Sequence, residues 1–386
     1  MRIKQIDGLR GFALLGILIV NIFVFHAPYP HYSAFYGAFE GFEANIIEVV
    51  VFFFAGKFMF IYAFLFGYGF WLQREKQHNL KSFRAYWKRR MLVLAVFGGL
   101  HVLLLSFGDI LLPYALLGLS LIYFSKLDNK RLFLCFLLIY LIPVYEFVLR
   151  ILFTYPSVFM KPVVPLEEYI AINSSGQFLE QFKLRMNDYF SFQNEKLILY
   201  IPKELALFLL GIFAARMRLA SKLNTKKAIV FCVFALAVMG SMYLFRPQII
   251  GLFDYEQSIF QRTILGLIIQ SAEFFHGMFY VIGFFLLWKI PIIQCVLQLF
   301  TYPGKLSLSN YIMQSAICVL IFSGFHYYGQ LKPSALILIA LSIYLFQILF
   351  SFVWLRNYQF GPLEYLWRKL SKRPMSNAPD STPKIL

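Results

Sequence analysis

Charged residues are scarce in this sequence, and their scarcity excludes a water-soluble fold. Only 14% of the 386 residues are Asp, Glu, Lys or Arg, whereas 60% are hydrophobic. Soluble domains carry about 25% charged residues, so this chain has too little polar surface to face water on every side. Segments of alternating polarity, which a membrane β-barrel would need, are also missing. Apolar runs of about 17 to 25 residues recur instead, and each can cross the hydrocarbon core as a helix.

Acidic residues and cysteines are few as well. The chain has 19 Asp and Glu against 36 Lys and Arg, which gives a formal net charge of +17. In a membrane protein this excess reflects the bias of Lys and Arg toward cytoplasmic connections, so it indicates topology and no nucleic-acid partner. The four cysteines stand singly in apolar segments, and we therefore expect small buried residues with no disulfide and no metal site.

The sequence also lacks the motifs of familiar soluble enzymes. It contains no phosphate-binding P-loop, no nucleotide-binding glycine fingerprint after a strand, no HExxH zinc motif and no GxSxG nucleophile motif. No permanently bound cofactor is expected. The polar side chains inside the apolar runs are therefore the candidates for any activity.

The apolar runs predict an all-α integral membrane protein with about ten transmembrane helices. Lys and Arg concentrate in alternate connections, with seven in residues 73–90 and none in residues 28–45, so both termini are predicted to be cytoplasmic. We expect a multi-pass protein of the cell (cytoplasmic) membrane, with the lipid bilayer as its surroundings. The predicted spans are 11–27, 46–72, 91–107, 109–125, 132–153, 199–217, 227–245, 264–288, 305–323 and 334–355.

One polytopic membrane domain is predicted over residues 1–373. Within it, residues 154–198 carry charges of both signs between two spans and are expected to lie at the outer face. Residues 290–302 are too short to span the bilayer and are predicted to connect two helices at the interface. Residues 374–386 are polar and contain proline, which predicts a disordered cytoplasmic tail.

Polar residues inside the predicted spans are informative because a charge at the bilayer centre costs about 2.5–3.5 kcal/mol. Lys57 lies near the middle of the second span, and Asn21 lies deep in the first. Glu273 and His276 are three residues apart in the eighth span and share a helical face, and Glu273 is a candidate partner for Lys57. The alternative interpretation is that these side chains only hold helices together.

His101 and Asp109 are the first candidates for chemistry. A histidine can act as a base near neutral pH, and a carboxylate can orient it only within contact range. On a continuous helix the spacing of eight residues places both on one side but about 12 Å apart, which predicts one shared cavity without a direct pair. His26, at the end of the first span, is the second candidate base. For His101 the alternative is a packed histidine bonded to a neighbouring helix.

Five blocks of the sequence carry a resemblance to known proteins. They are IDGLRGFALLGILIVNI at 6–22, GKFMFIYAFLFGYGFWLQ at 56–73, RRMLVLAVFGGLHVLLLSFGDILLPYALLG at 89–118, GKLSLSNYIMQS at 304–315 and FQILFSFVWLRNYQFGPLEYLWRKLS at 346–371. Together these blocks resemble the bacterial membrane proteins of domain-of-unknown-function family 418. Through Asp7, Arg10 and Gly11, the first helix is also similar to that of ten-helix membrane acyltransferases of the acyltransferase-3 and heparan-alpha-glucosaminide acetyltransferase-like groups.

The resemblance to acyltransferases implies transfer of an acyl group from cytosolic acyl-CoA to an acceptor across the membrane or at its outer face. The acyltransferase-3 pattern has its catalytic histidine where this chain has Asn21. Asparagine at this position looks more like the acetyltransferase-like group, in which the histidine lies further out, where His26 or His31 could stand. Any base must therefore come from a position other than residue 21.

An acyltransferase-like protein is the first of two functions that these observations leave open. Its donor substrate would be acyl-CoA, whose phosphates would be bound by Arg10, Arg89 and Arg90. His101 or His26 would act as the base or carry the acyl group. The acceptor would be an envelope glycan, a lipid head group or a small exported metabolite.

A transporter or permease for a small metabolite or lipid is the alternative. The polar side chains within the bundle would then form a substrate or proton pathway through the bilayer. Covalent change of the substrate distinguishes the two functions, because only the acyltransferase would produce it. The residues of the pathway would be Lys57, His101, Glu273 and His276.

Overall fold

The computed structural model describes residues 3–77, 79–141, 164–195, 200–253 and 258–372. Within these ranges the regular structure is helical and contains no strand, which confirms the predicted all-α class. The α-helices are α1 (Lys4–His26), α2 (Tyr32–Tyr36), α3 (Gly41–Phe53), α4 (Lys57–Glu75), α5 (Leu80–Leu104), α6 (Leu111–Phe124), α7 (Asn129–Tyr140), α8 (Leu166–Ser174), α9 (Phe178–Glu195), α10 (Ile201–Arg216), α11 (Thr225–Gly251), α12 (Ile259–Leu287), α13 (Pro291–Leu299), α14 (Thr301–Lys305), α15 (Ser307–Val319), α16 (Pro333–Asn357) and α17 (Pro362–Ser371).

Six segments of the described chain are long and apolar enough to cross a bilayer, so the chain is a multi-pass membrane protein. The predicted number of about ten is not confirmed. The spans predicted at 109–125 and 199–217 coincide with shorter helices, and the one predicted at 91–107 falls in α5, whose first half is rich in Lys and Arg. α6 has 14 residues and α10 has 16, which is about 21 and 24 Å against about 30 Å of hydrocarbon. The six segments are Lys4–His26, Gly41–Glu75, Thr225–Gly251, Phe260–Leu287, Ser307–Gly324 and Pro333–Asn357.

Three further sequence-based expectations concern the connections and ends of the chain. The predicted connector at 290–302 contains all of α13 and the first two residues of α14; these helices have nine and five residues and are too short to span. The cytoplasmic location of both termini stays a prediction. The predicted tail at 374–386 lies outside the described residues. So do all of residues 142–163, which contain the end of the span predicted at 132–153 and the beginning of the outer-face segment predicted at 154–198.

α1 is the central helix of the bundle and packs against α4, α14, α15 and α16. Its contact with α14 brings backbone against backbone. A Cβ atom on Gly11 would lie 1.9 Å from the carbonyl oxygen of Phe300, and one on Gly304 would lie 1.8 Å from that of Asp7. Glycine at both positions therefore fixes the end of α1 that carries the Asp-x-x-Arg-Gly pattern.

The two ends of the bundle are closed by different helices. At one end α17 packs against α5, and the indole N–H of Trp367 donates to the carbonyl of Arg90 at 2.7 Å. We call this the basic end, because Arg10, Arg90 and Arg368 lie there. At the other end, which we call the opposite end, α9 packs against α5 and α8 packs against the turn Leu320–Gly324 that follows α15.

Candidate functional site

A histidine, a carboxylate and a hydroxyl meet inside the bundle, although they come from three separate parts of the chain. His101 is on α5, Asp109 lies in the turn before α6, and Ser315 is on α15. His101 Nδ1 lies 3.1 Å from Asp109 Oδ1, and His101 Nε2 lies 2.9 Å from Ser315 Oγ. All three residues are buried, with exposed fractions of 3%, 0% and 2%. We call these three residues the His101 cluster; acyl-transfer enzymes activate serine with this same order of groups.

The direct contact between His101 and Asp109 corrects the sequence-based separation of about 12 Å. That separation assumed one continuous helix, but α5 ends at Leu104 and the chain turns back before α6 begins at Leu111. Asp109 Oδ2 accepts a hydrogen bond from the N–H of Leu112 at 2.7 Å, as a capping residue does at the start of a helix. A Gly-Asp pair ahead of an apolar run is the sequence signal of this turn.

Gly98 makes room for the carboxylate. A Cβ atom there would lie 2.4 Å from the backbone nitrogen of Leu112 and 2.8 Å from Asp109 Oδ2. A larger residue would push the start of α6 away from His101. The close approach of the two backbones thus occurs at Gly98, whereas a Cβ atom on the adjacent Gly99 would meet no atom of another element within 4 Å.

A cavity of about 490 Å³ opens at the basic end and extends inward toward the His101 cluster. We call it the basic cavity. Cationic side chains line its mouth, and mainly apolar side chains line its interior. Its volume lies within the range of about 300–1,000 Å³ that is common for small-molecule sites. The cations among its lining residues are Arg10, Lys76, Arg90, Lys305 and Arg368, and the carboxylates are Asp7 and Glu364.

The two carboxylates of the mouth are engaged within the protein. Asp7 Oδ1 lies 3.3 Å from Arg10 Nη1. Glu364 accepts hydrogen bonds from the backbone N–H groups of Leu308 and Ser309 at 2.7 and 3.1 Å, at the N-terminus of α15. Since five cations face two carboxylates, the mouth carries a net positive charge, which favours an anionic ligand.

The ring of Tyr311 separates the basic cavity from His101. Tyr311 lines the inner end of the cavity, and its ring stacks on the imidazole of His101 with centroids 5.1 Å apart. α15 carries Tyr311, Ser315 and, as its last residue, Val319. These three residues are four positions apart and therefore share one face of the helix. Ser315 therefore lies one helical turn beyond a residue of the cavity wall.

A second cavity, of about 70 Å³, lies on the other side of the His101 cluster, toward the opposite end. We call it the small cavity. Val319 lines it together with Ser106, whose backbone N–H donates to the carbonyl of His101 at 3.0 Å. Asp188 of α9 also lines it and accepts a hydrogen bond from the hydroxyl of Tyr169. Burial raises the pKa of Asp188 from 3.8 to about 6.

A separate charged group lies between α10 and α12. Glu273 Oε2 lies 2.5 Å from Nζ of Lys203, whereas Lys57 Nζ donates to a backbone carbonyl at 3.3 Å. The direct partner of Glu273 is thus Lys203, which corrects the predicted pairing with Lys57. His276 Nε2 lies 3.1 Å from the hydroxyl of Tyr280. None of these five residues is among the described residues that line the two cavities.

His26 is held by contacts within the fold. Its Nε2 accepts the backbone N–H of Leu331 at 2.9 Å, and its Nδ1 lies 3.1 Å from the hydroxyl of Tyr36. That hydroxyl donates to the carbonyl of Phe23 at 3.0 Å, so Nδ1 carries a proton and donates it to the Tyr36 oxygen. The histidine thus ties the end of α1 to α2 and to the loop before α16.

The other predicted residues lie outside the two cavities as far as the chain is described. Asn21 and Arg89 are half-buried on α1 and α5, and neither is among the lining residues, whereas Arg90 is. His31 Nε2 lies 2.8 Å from the carbonyl oxygen of Val164. Of the sequence-based candidates, only Arg10 and Arg90 are among the described residues that line the basic cavity.

Ser315 was missed by sequence reasoning because it lies among other small polar residues of α15. Two of these make the interhelical hydrogen bonds expected for such residues. Asn310 Nδ2 donates to Ser351 Oγ at 3.0 Å, and Gln314 Nε2 donates to Gln347 Oε1 at 2.8 Å. Nothing in the spacing distinguishes Ser315 from its neighbours, since only the fold brings a histidine to it.

Comparison with known proteins covers nearly the whole chain. "Uncharacterized protein YxaH" of Bacillus subtilis (strain 168) is 30% identical over 97% of this chain and 96% of its own length. "Uncharacterized protein YeiB" of Escherichia coli (strain K12) is 27% identical over 98% of both chains. Residues 214–374 match the model of the family described as "Protein of unknown function (DUF418)". The chain belongs to the DUF418 family. The resemblance to family 418 is thereby confirmed, whereas the similarity to membrane acyltransferases stays a prediction.

The DUF418 family model covers only part of the His101 cluster, whereas the alignments with the relatives cover all of it. Residues 214–374 include Ser315 and α17, whereas His101 and Asp109 precede that range. The alignments with the relatives span both parts, including the "Uncharacterized 39.9 kDa protein in amylase 3'region" of Bacillus acidopullulyticus, which is 29% identical over 96% of this chain and 94% of its own length. In this DUF418 protein the His101 cluster therefore joins residues from both sides of the boundary of the family model.

Proposed function

We propose that this DUF418 protein transfers an acyl group from cytosolic acyl-CoA, bound at the basic end, to an acceptor at the opposite end. The proposal rests on one observation above all: a cavity with a cationic mouth and an apolar interior ends one aromatic ring short of the His101–Asp109 pair. The concentration of Lys and Arg in residues 73–90 favours the cytoplasm for this end. The acceptor is a hydroxyl or amine of an envelope glycan, a lipid head group or an exported metabolite.

The mouth of the basic cavity suits the phosphates of coenzyme A. Guanidinium groups bind phosphate oxygens with two parallel hydrogen bonds. Arg90 is held in place, because its Cζ lies 3.5 Å from the centre of the Trp367 ring and its Nη1 donates to the hydroxyl of Tyr86 at 3.3 Å. A fixed side chain loses little freedom on binding. The proposal therefore assigns phosphate binding to Arg10 and Arg90, adds the exposed Arg368 as a weaker contact, and gives Arg89 no role.

The interior of the basic cavity suits the rest of the donor. Past the mouth, the lining residues include Leu65, Phe66, Leu94 and Leu111. Apolar walls accept the pantetheine arm and an acyl chain without leaving buried polar groups unpaired. The thioester at the end of the arm would then stand at Tyr311, next to the His101 cluster.

His101 is the base in this proposal. The Asp109 carboxylate at Nδ1 favours the tautomer with its proton on that nitrogen, orients the ring, and stabilises the imidazolium that forms when Nε2 takes a proton. Nε2 faces a hydroxyl, so its lone pair is directed at a proton it can accept. A positioned base of this kind contributes about 10²- to 10⁴-fold to a rate.

The test measures thioester use by purified protein in lipid nanodiscs. Acetyl-CoA and palmitoyl-CoA are the probes, an extract of envelope lipids and glycans supplies acceptors, and free CoA thiol is the readout. The wild-type protein should release CoA, and His101→Gln should not. His276→Gln is the matched histidine control, because His276 lies on α12 outside the lining of both cavities. Failure to bind or cleave either thioester would refute the proposal.

Transport is the second candidate, and the charged group between α10 and α12 favours it. Lys203 and Glu273 form a close ion pair, with Lys57 and His276 in the same part of the bundle, and intramembrane charges often mark ion or substrate pathways. Metabolite export from vesicles that requires a proton gradient, leaves the substrate unmodified and is lost in Glu273→Gln would select transport over acyl transfer.

A further inference from the structure

Ser315 occupies the position that a nucleophilic serine has in a Ser–His–Asp triad. The carboxylate of Asp109 faces Nδ1 of His101 at 3.1 Å, and the hydroxyl of Ser315 faces Nε2 at 2.9 Å. With the proton on Nδ1, Nε2 is an acceptor and the serine hydroxyl is the donor. The competing acceptor for this hydroxyl is the carbonyl of Tyr311 at 3.4 Å, which is near the outer limit of a hydrogen bond.

We propose that Ser315 carries the acyl group as a covalent ester during the reaction. The inference rests on the proposed function, since it needs an acyl thioester in the basic cavity. It goes further by fixing the route: the acyl group passes through the enzyme and is not transferred directly between two bound substrates.

The reaction has two balanced halves. Ser315 Oγ attacks the thioester carbonyl carbon while His101 Nε2 takes the hydroxyl proton. The carbon–sulfur bond then breaks, and the CoA sulfur leaves with that proton. In the second half, a hydroxyl of the acceptor attacks the serine ester and gives its proton to Nε2. The ester bond to Oγ breaks, and Oγ recovers the proton.

The position of Ser315 between two cavities supports a covalent carrier. Tyr311 lines the basic cavity one turn before Ser315, and Val319 lines the small cavity one turn after it. Donor and acceptor that enter from opposite ends would compete for the narrow space around one histidine. A covalent ester removes this conflict, because CoA can leave through the basic cavity before the acceptor arrives from the other side.

Neighbouring serines lack this arrangement and provide a matched control. Ser351 is fully buried, and its Oγ accepts a hydrogen bond from Asn310. The described contacts of Ser351 include no histidine. Ser351→Ala therefore removes a buried hydroxyl close to α15 without touching the His101 cluster.

The experiment detects the ester directly. Purified protein in nanodiscs is mixed with acetyl-CoA without acceptor and quenched in acid, and its intact mass and peptides are measured. Wild-type protein and Ser351→Ala should gain one acetyl group on the peptide that contains Ser315. Ser315→Ala should gain none, and Ser315→Cys should gain a thioester that hydroxylamine removes. Size-exclusion elution at the wild-type volume establishes that each variant is folded.

The outcomes separate the carrier from the proposed function. CoA release with acceptor that persists in folded Ser315→Ala, with no adduct on the wild-type protein, would overturn the carrier and leave the acyltransferase in place. An adduct on His101 would overturn it as well. Absence of thioester binding by the wild-type protein would overturn both. Parallel lines in a double-reciprocal plot against donor and acceptor would support the carrier independently.

Discussion

His101 and His26 are both buried histidines of long apolar helices, yet their surroundings give them opposite capacities. At His26, Nδ1 donates its proton to a tyrosine and Nε2 accepts a backbone N–H, so Nε2 cannot take a proton without losing that hydrogen bond. At His101, Nδ1 faces a carboxylate and Nε2 faces a hydroxyl. The two histidines therefore differ in the partners of their ring nitrogens and not in burial or residue type, and only the partners of His101 suit the proposed role of a base.

Exchange of each histidine for glutamine is the strongest test of this contrast. His101→Gln should lower acyl transfer at least about 10³-fold, because it removes both the base and the activation of the serine. His26→Gln should retain activity in the molecules that remain folded but lower the melting temperature, since the ties to Tyr36 and Leu331 are weakened. CoA release and thermal unfolding in detergent measure the two effects. The contrast fails if His26→Gln is the inactive variant and keeps its stability.

Removal of the carboxylate alone tests what orients His101. Asp109→Asn should reduce acyl transfer by about 10²- to 10⁴-fold, because an amide favours the wrong tautomer of the ring. Asparagine caps helices about as well as aspartate, so the hydrogen bond to Leu112 and the turn before α6 should survive. Circular dichroism and the melting temperature check the fold. Activity near the wild-type level would mean that the carboxylate serves only as a cap.

Removal of a cation from the mouth tests whether the acyl-CoA donor reaches His101 through the basic cavity, whose described lining does not include His26. Arg368 lines that cavity from α17 and is exposed to solvent. Arg368→Gln should raise the KM for acyl-CoA about three- to tenfold, as expected for the loss of roughly 1 kcal/mol of interaction with phosphate. Lys369→Gln is the control, because Lys369 is exposed on the same helix and is not among the described lining residues. Equal effects of both would point to general surface charge.

Substitution of Asp188, at the opposite end of the bundle, should change the stability of the protein in a pH-dependent way. The pKa of Asp188 is raised from 3.8 to about 6 by burial, which corresponds to roughly 3 kcal/mol. Since the folded state binds this proton more tightly, the contribution of Asp188 to stability is most favourable below about pH 4 and is lost as the pH rises to about 6. Asp188→Asn should therefore raise the melting temperature by a few degrees at pH 8 and leave it unchanged at pH 4. A matching gain at both pH values would rule out the carboxylate as the cause.

The sequence could predict the fold class and single out several polar residues that the structure buries, such as His101, Asp109 and His276, because both depend on local composition. Long apolar runs predict membrane helices, and charged residues within such runs are easily identified. The path of the chain between two helices is not predicted by such local patterns. A six-residue turn after Leu104 converts a predicted separation of two helical turns into direct contact between His101 and Asp109. The sequence also did not predict that α17 lines the basic cavity. A short helix with several charged residues after the last span resembles a polar tail.

By itself the sequence determined that this is an all-helical, multi-pass membrane protein of the DUF418 family, with few ionisable groups in its interior. Hydropathy and family patterns act residue by residue along the chain, so no knowledge of packing is needed to read them. Tertiary structure alone decided which ionisable groups meet. Glu273 pairs with Lys203 instead of Lys57, and His101 meets a serine 214 positions away. These contacts depend on how helices far apart in sequence pack against one another, which no local pattern records.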